Sequence, residues 1–138
     1  VSAAMRVLHL DETPPVDTPW DGVPAWTPVR RLLDVGAFGV NVQTAAAVGD
    51  PLIEPHDETA SGHEELYVVL RGSATVTAGD RTVDVRAGSL VFLPDPTVHR
   101  SATATAPDTA VLAVGAARGT AYAPPAWEER WARELGLP

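Results

Sequence analysis

Between Val29 and Gly115 the chain breaks into short segments rich in Val, Leu and Thr, each stopped by glycine, aspartate or proline. Segments of this length suit strands, and none carries a sustained helical period. Nine strands are expected: Val29–Val35, Phe38–Ala47, Leu52–His56, Glu65–Leu70, Ala74–Ala78, Thr82–Val85, Leu90–Leu93, Val98–Thr103 and Ala110–Gly115. The breaks at Gly36, Gly49-Asp50-Pro51, Gly72 and Ala87-Gly88 supply bends, and Gly79-Asp80 reads as a tight hairpin loop. Many short strands at regular spacing give an all-β sandwich or barrel.

The chain of 138 residues fits one domain, divided into three parts. Residues 1–28 form an extended arm, because five prolines between Asp11 and Pro28 remove backbone donors. Trp20 and Trp26 pin that arm to the barrel, which occupies residues 29–116. Residues 117–138 hold a linker and a helix. Pro125 sits in the first turn of that helix, Glu128 and Glu129 near its positive end, and Gly136 at its stop. Trp127, Trp131 and Leu135 make one apolar stripe that docks on the barrel or on a second subunit, so a homodimer is one possible partner.

Composition removes several functional classes. With no cysteine, disulfides, thiolate metal sites and thiol nucleophiles are excluded. The net charge is −8, and all ten basic residues are arginines scattered along the chain, which argues against nucleic acid and against an anionic membrane as partners. No apolar run is long enough to cross a bilayer, and the first ten residues do not read as a secretory signal. The expected location is the cytoplasm, and the expected partner is a small-molecule ligand or substrate.

Strand alternation puts Glu54, His56 and Glu58 on one face, and His63, Glu65 and Tyr67 on one face of the next strand. His99 follows Pro94-Asp95-Pro96-Thr97-Val98. Arg100 alternates to the opposite face, which favours the surface for it; Arg86 is the other arginine considered for an acidic substrate. Glu65-x6-Gly72 and Gly88-x5-Pro94 with the following His99 resemble the two motifs of the cupin superfamily, G-x5-H-x-H-x3–4-E-x6-G and G-x5-P-x-G-x2-H-x3-N. The resemblance implies a double-stranded β-helix, a jelly-roll barrel, over most of the chain. It also implies one divalent metal inside the barrel.

Carried over residue by residue, His56, Glu65 and His99 inherit the role of metal ligands. The second histidine of the first motif is replaced by Glu58, and the turn Thr59–Gly62 is longer than the motif allows. Pro96 takes the glycine position of the second motif and Thr103 its asparagine. His63, on the face of Glu65, is the natural replacement ligand. Three imidazoles and one or two carboxylates suit Fe, Mn, Ni or Zn. Tyr67 and Glu58 are then the acid–base candidates, with Tyr67, Asn41 and Gln43 as groups that orient the ligands. A metal-dependent enzyme performing oxygenation, isomerisation or cyclisation is one expectation. A metal-free barrel that binds a small ligand or a protein is the alternative, and nucleotide cofactors are not expected for want of a glycine-rich phosphate loop.

Overall fold

The computed structural model describes residues 4–138. Two antiparallel sheets face each other. The nine strands are β1 (Ala25–Thr27), β2 (Gly39–Ala45), β3 (Pro51–His56), β4 (His63–Arg71), β5 (Ser73–Ala78), β6 (Arg81–Arg86), β7 (Leu90–Leu93), β8 (Arg100–Ala104) and β9 (Thr109–Ala117). One sheet runs β1-β2-β9-β4-β7 and the other β3-β8-β5-β6. This is the all-β barrel expected from the punctuated strand pattern, with the jelly-roll form that the motif resemblance implies. Gly79-Asp80 forms the two-residue hairpin loop, with Ala78 opposite Arg81.

Alternation builds two cores. Leu52, Tyr67, Val69, Val76, Leu93 and Ala102 fill the space between the sheets. Val40 and Val42 of β2 and Ala110 of β9 point the other way and are covered by Val29 and Leu33. Those covering residues belong to a short helix, α1 (Val29–Leu33), where a strand over Val29–Val35 is expected from composition. The sheet has no vacancy there, because β2 already has β1 on one edge and β9 on the other. Val29 and Leu33 lie four residues apart, so one helical turn brings both onto the sheet. Asp34, at φ 54°, ends the helix in the left-handed region.

The arm is more structured than its prolines suggest. It holds a 3₁₀ turn at Leu10–Glu12 and contributes β1, whose Trp26 is fully buried and exchanges backbone hydrogen bonds with Val16 at 2.8 and 2.9 Å. Helix α2 (Ala126–Glu134) matches the helix read from the sequence, with Pro125 as its N-cap and Gly136 in the left-handed region past its end. Trp127 and Trp131 dock against Trp26 with ring centroids 5.8 and 5.4 Å away, and Trp20 lies 5.2 Å from Trp131. Helix α2 buries Ala132 and Glu128, and Glu128 receives a 2.6 Å hydrogen bond from Arg30 Nε of α1. Among the described residues no helix is long and apolar enough to cross a membrane.

Candidate functional site

The inward faces of the five-stranded sheet determine where space remains. In register across β2, β9 and β4, Asn41 faces Ala113, which faces Tyr67; Gly39 faces Gly115, which faces Glu65. The central strand thus presents a methyl group between Asn41 and Tyr67, and a bare hydrogen between Gly39 and Glu65. A trough results, and it opens into a cavity of about 850 Å³, within the ordinary range for small-molecule sites. Its far wall comes from β3 and the β3–β4 loop, and its roof from Trp20, Tyr122 and α2.

A charged cluster forms one end of this cavity. His56, the last residue of β3, sets Nδ1 2.7 Å from the Glu54 carbonyl and Nε2 3.0 Å from Glu58 Oε1. Ser61 in the following loop donates to Glu58 Oε2 at 2.7 Å. Glu65 of β4 accepts hydrogen bonds from Tyr67 Oη and Arg100 Nη1, both at 2.9 Å, and lies 3.7 Å from His56 Nε2.

The ionisation states follow from these contacts. Burial works against the charged form of His56, but its bonds to Glu58, Glu65 and the Glu54 carbonyl outweigh that and push its pKa up to about 10. Burial likewise opposes ionisation of Glu58, and the His56 and Ser61 hydrogen bonds overcome it, so its pKa is lowered. Glu54, with burial as the larger influence and His56 opposing, is raised. Burial and then the Glu65 charge hold the Tyr67 proton well above the ordinary tyrosine range. Tyr67 therefore donates to Glu65 as a neutral hydroxyl.

Of the residues singled out in the sequence, His56, Glu58, Glu65, Tyr67, His63, Asn41 and Gln43 all line the cavity. His63 stands apart from the charged cluster, its ring stacked on Tyr122 with centroids 5.4 Å apart. His99 is exposed and contributes nothing to the cavity wall, contrary to the expectation that it is a ligand. Strand β8 starts at Arg100, and alternation turns Arg100, Ala102 and Ala104 inward, all of them buried. Arg100, expected at the surface, is completely buried and anchored by the carbonyls of Val98 and Asp95. The sequence held a signal for this: two alanines at even spacing from Arg100 mark the inward face. Arg86 is exposed and away from the cavity.

One ligand atom from each of His56, Glu58 and Glu65 lies within 4.8 Å of the others, a spacing at which three donors can bracket an ion. The charges on these groups do not suit a divalent cation. Both ring nitrogens of His56 face oxygens that only accept, an arrangement satisfied by an imidazolium, which has no lone pair for a metal. The buried Arg100 guanidinium supplies a second, permanent positive charge at Glu65. Two carboxylates and two cations are already balanced, and the residues present do not fit the metal that the motif resemblance implies.

Comparison with known proteins agrees with the barrel. A cupin domain family model matches residues 47–115. An uncharacterized protein of Streptomyces coelicolor is 27% identical over 96 residues, covering 70% of this chain and 82% of that protein. The structure of an uncharacterized conserved protein with a double-stranded β-helix domain from Klebsiella pneumoniae superposes with a TM-score of 0.63 at 22% identity, over 86% of this chain and 96% of that one. A sugar phosphate isomerase of the cupin superfamily from Silicibacter pomeroyi also gives 0.63, at 14% identity, over 80% of this chain and 75% of that one. At these identities the two structures are similar in fold alone.

Proposed function

The chain belongs to the cupin family, and we propose that it uses the barrel interior as a metal-independent site for a small organic molecule. The observation that carries this reading is the self-neutralised cluster of His56, Arg100, Glu58 and Glu65 at one end of an open cavity. Such a cluster gives a bound molecule both a charged donor and charged acceptors without an ion. His56 holds a proton that a ligand can take, and Glu58, kept ionised beside it, can receive one. Glu54 and Glu58 are pushed in opposite directions, the first by burial and the second by its His56 and Ser61 hydrogen bonds. Of the reactions expected from the motif resemblance, proton-transfer isomerisation suits these groups and oxygenation does not. Tyr67 serves to hold Glu65 in place.

The test is a thermal-shift screen of small organic molecules against the full chain after dialysis with EDTA. Binders are expected to survive the chelator and to be lost in Ala113→Val, which fills the trough between Asn41 and Tyr67. Binding that disappears with EDTA and returns with one equivalent of metal would overturn the proposal.

A further inference from the structure

The end of the cavity beneath α2 differs from the charged cluster, because its polar atoms have no partners. Asn41 Oδ1, Gln43 Oε1, Tyr122 Oη and Glu128 Oε2 are buried on its wall and make no hydrogen bond within the described residues. Asn41 and Glu128 are more than nine-tenths buried, so bulk water does not substitute for a partner. Glu128 accepts whichever way its carboxylate is turned, and Arg30 occupies only its other oxygen. A ligand that completes this wall must bring hydrogen-bond donors.

Two further features narrow its chemistry. Glu54, Asp57 and Glu134 also line the cavity and form no ion pair among the described residues, against Arg130 as the one arginine on the wall. The excess is negative, which disfavours carboxylate or phosphate ligands. The roof is aromatic, with the indoles of Trp20, Trp127 and Trp131 beside Tyr122, and aromatic faces attract cations.

Resting on the small-molecule reading above, we infer that this cavity takes an organic cation, an amine whose N–H groups meet the unpartnered acceptors Asn41 and Glu128 while its charge lies against the indole roof. The negative excess on the cavity wall attracts the same charge at longer range. A neutral polyol would supply donors but leave the charge excess unanswered.

The experiment is a titration of the full chain at neutral pH, followed by tryptophan emission, with benzylammonium, benzyl alcohol and benzoate as shape-matched probes. Benzylammonium is expected to bind saturably and about tenfold more tightly than benzyl alcohol, with benzoate weaker still. Glu128→Gln and Asn41→Leu are each expected to erase most of that preference. The second variant leaves the Arg30 ion pair intact, so it reports even where the first fails to fold. Equal binding of ammonium and alcohol, abolished for both by Ala113→Val, overturns the cation inference alone and leaves the small-molecule reading standing. Binding of both that ignores Ala113→Val overturns the two together. An ammonium preference that survives both acceptor variants overturns the placement.

Discussion

Arg100 is the residue on which the metal-independent reading turns, and replacing it by methionine tests that reading quantitatively. Its Nη1 lies 2.9 Å from Glu65 Oε1. A metal bonded to that oxygen would sit about 2.1 Å beyond it, and so at most about 5 Å from the guanidinium. At an effective dielectric of about 20, a divalent ion and a unit positive charge at that separation repel by about 6 kcal/mol. Half of that would already weaken metal binding by more than about a hundredfold. Methionine keeps an unbranched apolar chain in the buried slot and removes the charge. Arg100→Met should therefore gain affinity for Mn²⁺ or Zn²⁺ by at least about a hundredfold over the native chain. It should also lose about 3 kcal/mol of stability, because Glu65 keeps only Tyr67 and His56. Metal content after equilibrium dialysis reads the first effect, and urea unfolding the second. A native chain that retains one equivalent of metal, lost on substituting His56 or Glu65, would refute the reasoning. So would an Arg100→Met variant whose metal affinity is unchanged.

Other outcomes follow from the same geometry. His56 is raised from 6.5 to about 10, so its ion pair stabilises the fold fully below pH 6.5 and loses that effect as pH rises through about 10. With part of the ring open to water, the contribution is about 2 kcal/mol; His56→Gln should cost most near pH 6 and little near pH 10.5 in urea titrations across pH. Gly72 adopts φ 75°, and a Cβ there would stand 2.8 Å from Thr109 Cα, so Gly72→Ala should cost more than about 2 kcal/mol. Gly88, at φ 91° with nothing within 4 Å of a Cβ, should lose only about 1 kcal/mol on the same change, and comparing the two urea midpoints separates clash from backbone strain. Arg30→Met leaves Glu128 buried without its cation and should cost about 3 kcal/mol, with faster amide exchange concentrated in α2.

Much of the barrel was legible because glycine and proline cut the sequence at its real turns. Glu65 was legible for the same reason, since its spacing to Gly72 spans β4 and its end. Arg100 is expected outside because the motif holds His99 inward, and alternation then sends its neighbour to the opposite face. Ala102 and Ala104 carried that parity. Helix α1 was missed because Val and Leu suit a strand as well as one helical turn, and only the occupied edges of β2 decide between them. Asn41 and Gln43 are candidates in the sequence on condition that their strand face points inward, and both line the cavity. Tyr122 and Glu128 were not read as part of the site, because α2 reaches the cavity through contacts between segments distant in sequence.

The indole cluster that joins the arm to α2 gives the cavity two mechanical parts. Its floor and sides belong to hydrogen-bonded sheets, while its roof is held by tilted and edge-on indole contacts and by the Arg30–Glu128 and Arg31–Glu129 pairs. Such a roof can open as a local unit without unfolding the sheets. How fast a molecule exchanges then depends on how often the four tryptophans part, while the shape it must fit is fixed by β2, β4 and β9.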